Sequence, residues 1–155
     1  MAMDVMFYQL LHAPLERALP VLLEKTLERK WKAIVQCGSQ ERVASLDGLL
    51  WTYRDESFLP HGAAGSCEAE EQPVLLTLGD ENPNGAEVRF FVDGIDAASV
   101  ALSADGEYER LVLMFDGTDD EQLSAARSQW KRLKDAGLAL QYWQQKENGG
   151  WEKMA

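Results

Sequence analysis

The amino-acid sequence predicts a three-layer α/β domain built on a mostly parallel central sheet. Three features of the chain carry that reading. Short runs rich in branched and aromatic residues alternate with stretches whose apolar residues recur at helical spacing. The segments joining successive runs have the length of βαβ crossovers. At 155 residues and 46% hydrophobic content, the chain is expected to be one domain, 1–155, with apolar surface enough for a core.

Residues 3–10, MDVMFYQL, are apolar and aromatic and predict the first strand. The next stretch, 14–30, sets Leu15, Ala18, Leu19, Leu22, Leu23 and Leu27 on one helical stripe. Pro20 sits awkwardly in it, so the regular helix is expected from about Ala18, with Pro20 in the first turn. KAIVQC (32–37) predicts a second strand, buried on both faces. Ser39 is placed to cap a helix running to about Trp51, with Val43, Leu46 and Leu50 inward. Small and acidic residues at 62–72 predict an exposed loop. PVLLTL (73–78) and EVRFFVD (87–93) predict strands separated by a turn at 79–86, marked by its Asn-Pro and Asn-Gly pairs. RLVLMFD (110–116) predicts another strand. Residues 118–137 carry the clearest helix signals: Thr118 and Glu121 at capping-box spacing, Asp119 and Asp120 at the positive end of the dipole, and Gly137 at the stop. LALQYWQQ (138–145) predicts a last strand, and 146–155 reads as a loosely held polar tail.

The net charge of −11 opposes general nucleic-acid binding, because neutralising phosphates requires a basic surface. No apolar run approaches the roughly 18–20 residues of a membrane span. The N-terminus has Asp4 where a signal peptide has basic residues, so a cytoplasmic location is expected. Cys37 and Cys67 form neither a CxxC pair nor a disulfide framework.

The fold class suggests a nucleotide site, yet neither GxxxxGK[ST] nor GxGxxG follows the first strand. Asp116, ending VLMFDG, has no phosphate loop to complement and reads as a turn residue before the capped helix. His12, Cys37, His61 and Cys67 match no common zinc spacing. Nucleophilic catalysis would need Cys37 or Ser57 beside His61 or His12 with an orienting group. Cys37 ends a buried strand and reads as an inert core thiol. The densest polar and aromatic stretch is LLWTYRDESFLPHG (49–62). Its residues alone leave open an active site, a cofactor pocket or a surface for another protein, and His61 after Pro60 reads more readily as structural than as an acid/base residue. No catalytic residue, metal or cofactor is expected.

Charge pattern is the remaining signal. In the 118–137 helix, Leu123, Ala126, Trp130 and Leu133 form an inward stripe, while Arg127, Lys131 and Lys134 share a neighbouring face. With Arg132 they make four cations between 127 and 134 with no acid among them. A solvated basic face near a helix C-terminus and a dock for carboxylates beside an aromatic wall both fit that pattern.

FYQL near the start, LLWTYRDESFLPHG, QPVLLT, NPNGA, YERLVLMFDG and ARSQWKRLKDAGLALQYWQQ occur in this order over nearly the whole chain. Together they resemble the chi subunit family of the DNA polymerase III holoenzyme. The resemblance implies a Rossmann-like fold without catalysis or a nucleotide site, in an accessory subunit of the clamp-loader assembly. It implies binding of the acidic, Phe-ending C-terminal tail of single-stranded DNA-binding protein (SSB). Arg127, Trp130 and Lys131 match the positions that grip that tail, and Lys134 joins them by spacing. It also implies contact with the psi subunit, or with an XPD-like helicase through the same surface, at Phe58; Trp51 lies near both regions and reads equally as an interface or a core residue. Leu123 stands where some relatives carry another Lys.

Overall fold

Every apolar run that predicts a strand becomes one. The computed structural model describes residues 3–52, 62–63, 72–79, 81–103, 108–148 and 150–155. In chain order the elements are β1 (Asp4–Leu10), α1 (Leu15–Glu28), β2 (Ala33–Gln36), α2 (Gln40–Thr52), β3 (Gly62–Ala63) and β4 (Val74–Thr77). There follow β5 (Val88–Phe91), α3 (Ala98–Ser103), β6 (Arg110–Asp116), α4 (Asp120–Asp135), β7 (Ala139–Gln145) and β8 (Trp151–Lys153).

The strands form one sheet in the order β3-β4-β2-β5-β6-β1-β7-β8, parallel throughout except for the β7–β8 pair. Strand pleating sends alternate residues of β1 to opposite faces. Met6, Tyr8 and Leu10 meet Leu15, Leu19 and Leu23 of α1 and Val43, Leu46 and Leu50 of α2. Val5 and Phe7 meet Ala98 and Ala101 of α3 and Ala126 and Leu133 of α4. The protein is thus a mixed α/β structure with helices on both faces of a central sheet, and the two cores explain why its strands read as continuous apolar runs.

Four expectations need correction. First, α1 begins at Leu15, because Pro14 holds the extended N-cap conformation and its carbonyl accepts the N–H groups of Arg17 and Ala18. Pro20 then falls in the second turn, buried against the core. Second, the cap of α4 is Asp119, whose carboxylate accepts from the Glu121 and Gln122 N–H groups at 2.9 and 3.2 Å. Thr118 instead donates its hydroxyl to Asp116 at 2.6 Å, so the Thr118–Glu121 capping box does not form. Third, Gly62 and Ala63, expected in a loop, pair with Leu75 and Leu76 as a short strand. Fourth, the supposed tail contains β8, paired antiparallel to β7, with Trp151 edge-on to Tyr8 at 4.8 Å. The predicted stop of α4 does form. Gly137 takes φ +81°, and the Gly137 and Leu138 N–H groups return to the Lys134 and Leu133 carbonyls.

Candidate functional site

The cation-bearing helix α4 is anchored by what lies beneath it. Ala126 and Leu133 are buried in the second core, with Leu123 and Trp130 packed partly against it. The half-buried Trp130 stands edge-on to Phe7 of β1 at 5.2 Å and to Tyr142 of β7 at 5.6 Å. Tyr142 is fixed in turn by donating its hydroxyl to Gln9 at 2.6 Å. Burial raises the Tyr142 hydroxyl pKa above its ordinary value, against the opposing pull of the nearby Arg127 guanidinium. The Trp130 indole and the Tyr142 phenol therefore meet at one edge of α4, close enough to Arg127 for its charge to be felt.

Arg127, Lys131 and Lys134 are all exposed on that helix. Among the described residues, neither they nor Arg132 has a carboxylate within ion-pair distance; both ion pairs belong to Arg42. Arg132 does not join the other three. It lies towards Asp96 at the start of α3, where its charge helps hold that carboxyl below its usual range, behind the larger effect of the Ser99 hydroxyl. Successive helical residues turn by about 100°, which separates position 132 from the 127/131/134 stripe. What remains is three cations, without an ion pair among the described residues, on the helix face next to Trp130. That arrangement can pair carboxylates and seat an apolar ring.

At the C-terminal ends of β1 and β6 the chain leaves for opposite faces, to α1 and α4, which is where open α/β sheets hold ligands. A cavity of about 300 Å³ lies there, lined by the β1–α1 loop, Arg42, Asp93, Asp116 and Gln122. His12 also lines it, and several of the polar groups around it are engaged with one another or with Gln145. Arg42 bridges Glu16 at 2.7 Å and Asp93 at 2.9 Å, and that hydrogen bond holds the Glu16 carboxyl below its usual pKa in spite of partial burial. The N–H groups of Leu11, His12 and Ala13 all point to the Gln145 side-chain oxygen, at 3.0, 2.9 and 2.9 Å. Asp116 accepts from the Thr118 N–H and hydroxyl, as a turn residue does.

Cys37 is 2% exposed, and burial, aided by Asp93, pushes its thiol pKa up to about 12. An inert thiol is the expectation: native protein at pH 8 should leave Cys37 unmodified by iodoacetamide, with labelling only after denaturation. Mass mapping that finds native Cys37 alkylated would contradict this. Among the described residues there is no cluster of three metal-capable side chains, and no helix is long and apolar enough to cross a membrane.

The other predicted contact region is only partly visible. Trp51 lies on the last turn of α2, but its side chain, and all of Phe58, Asp55, Glu56, Ser57, His61 and Cys67, fall outside the described residues. Tyr142 is the member of the α4 site that sequence reasoning missed. Its place in an apolar strand concealed its position beside Arg127.

A family profile described as "DNA polymerase III chi subunit, HolC" matches residues 2–141. The chain is 35% identical over 122 residues to "DNA polymerase III subunit chi" of Pseudomonas aeruginosa, covering 77% of this chain and 79% of that protein. It is 29% identical over 84 residues to "Probable DNA polymerase III subunit chi" of Rickettsia prowazekii, covering 54% of this chain and about half, 51%, of that protein.

Proposed function

This chain belongs to the chi subunit family of DNA polymerase III, and from that membership we infer that it is a non-catalytic accessory subunit of the clamp-loader assembly in DNA replication. In this reading it binds the acidic C-terminal tail of SSB and links it to psi and the clamp loader. The stripe of Arg127, Lys131 and Lys134, without an ion pair among the described residues and beside the half-buried Trp130, is the observation that supports it. Tail carboxylates pair with Arg127 and Lys131, and the terminal Phe ring lies against Trp130 and Tyr142. Leu123, packed partly on the core, stands where some relatives have a cation, so the dock is weaker or rearranged here. Rossmann-like architecture and a cytoplasmic location belong to the same proposal. The psi contact, and the alternative partnership with an XPD-like helicase, rest on the resemblance at Trp51 and Phe58 alone.

Arg127 is exposed, so each carboxylate pair contributes modestly and is screened by salt. Arg127→Ala is expected to weaken an SSB-tail peptide roughly tenfold while the circular dichroism stays unchanged. Affinity of the wild type should fall as salt rises. Titration calorimetry giving the same affinity for variant and wild type would remove Arg127 from the site.

A further inference from the structure

The opposite face of the sheet carries a second convergence of cations and aromatic rings. Beside the C-terminal half of α1 lies a groove of about 390 Å³. Tyr8, Trp143 and Trp151 form one wall, with Tyr8 stacked on Trp143 at 6.3 Å and edge-on to Trp151 at 4.8 Å. Lys25, Arg29 and Arg110 line it from two different elements, α1 with its C-cap and β6. Both guanidiniums converge on Trp31, at 5.2 and 5.6 Å from its ring centre.

Complementing the dipole of α1 accounts for Lys25 and Arg29 but not for Arg110, which arrives from the neighbouring strand. Among the described residues none of the three has a carboxylate within 4 Å, in a chain where acids outnumber bases 26 to 15. A guanidinium resting on an indole face keeps its N–H edge available to a carboxylate. Trp143 and Trp151 are only half-buried, so apolar surface remains open beside those donors.

We propose that this groove is a second protein-docking site, which takes an acidic segment of a partner protein. Its carboxylates pair with Arg29, Arg110 and Lys25, and one aromatic or branched side chain rests on Trp143 and Trp151. Charge complementarity selects that occupant. Single-stranded nucleic acid needs a basic track along many phosphates, whereas these cations border a cavity the size of one or two side chains on a strongly acidic chain. The α4 stripe packs on the other face of the sheet, so occupancy of one site leaves the other open.

The five tryptophans provide a direct readout, because each indole N–H gives its own signal in a nitrogen-15 correlation spectrum. The full chain is titrated with a short Asp-rich peptide containing one Phe, and in parallel with an oligothymidylate. The peptide is expected to move the Trp31, Trp143 and Trp151 signals, and the double variant Arg29→Glu, Arg110→Glu to weaken that response roughly tenfold or more. The Trp130 signal reports the α4 site separately and should respond alike in wild type and double variant. Shifts confined to Trp130 would overturn the proposal. So would groove shifts that survive charge reversal, or an oligothymidylate that moves the groove signals at lower concentration than the peptide.

Discussion

Replacing Arg89 with Leu is expected to lower the unfolding free energy by about 3–5 kcal/mol, the size of effect that comes from breaking a buried hydrogen-bond network. For a chain of this size that corresponds to a fall in Tm of roughly 6–20 °C. Arg89 lies in β5 and is 0% exposed. All five of its N–H groups are used. Nε and Nη2 donate to the Gln36 side-chain oxygen at 3.0 and 2.6 Å, and Nη2 also reaches the Gly79 carbonyl. Nη1 donates to the Glu81 carbonyl at 2.9 Å and to the Tyr108 hydroxyl at 3.2 Å. Removing the guanidinium takes its donors away from the Gln36 side-chain oxygen and from the Gly79 and Glu81 carbonyls.

The consequence falls on the β4–β5 connection. These parallel strands flank β2, and a loop rather than a helix makes the crossing. Polar bonds hold that loop: Arg89 on Gly79 and Glu81, Asn82 on the Ala86 N–H at 2.7 Å, and Asn84 on the Ala33 and Gln72 carbonyls. Arg89→Lys cannot reproduce a five-donor fork and should recover only part of the loss. Urea unfolding that places Arg89→Leu within 1 kcal/mol of wild type would show that the loop is held by something else.

Arg89 also shows where sequence reading stops. In EVRFFVD it is one cation within an apolar run, and nothing local tells where its side chain is satisfied; its acceptors come from positions 36, 79, 81 and 108. Local signals were legible where the physics is local. The apolar runs of β1 and β6 and the glycine stop of α4 depend on neighbours in sequence, and they formed as predicted. The six-residue α3 had no such signal, being too short to show periodicity and started by Asp96, which accepts from the Ala98 and Ser99 N–H groups. The polar β8 was misread because its stability comes from pairing with β7 and from Trp151 on Tyr8. At the candidate site the cation spacing was legible because one helix carries it, whereas Tyr142 required the fold. The groove beside Trp31 draws on positions 8, 29, 110, 143 and 151, which no window of sequence brings together.

Gln145→Ala should be the next most damaging change, costing roughly 2–4 kcal/mol. One side-chain oxygen, on a residue only 3% exposed, accepts three consecutive backbone N–H groups where β1 turns into α1. Those donors lie just before the positive end of the helix, so an acceptor there also meets the dipole. Alanine removes the acceptor and leaves N–H groups that the loop cannot redirect without unwinding the first turn of α1. The loss is smaller than at Arg89 because one neutral acceptor oxygen is removed rather than a charged group with five N–H donors. Gln145→Glu separates hydrogen bonding from packing, since a carboxylate keeps the acceptor and adds charge. Three N–H donors should depress the folded-state pKa of that Glu below its unfolded value of about 4.3. Its stabilisation is then fully present above that unfolded value and is lost as pH falls through the lower folded pKa. Thermal melts should therefore show Gln145→Glu near wild type at pH 7 and destabilised in acid, with Gln145→Ala low at both. A Glu variant as unstable as Ala at pH 7 would mean that the amide is held for its shape rather than for its oxygen.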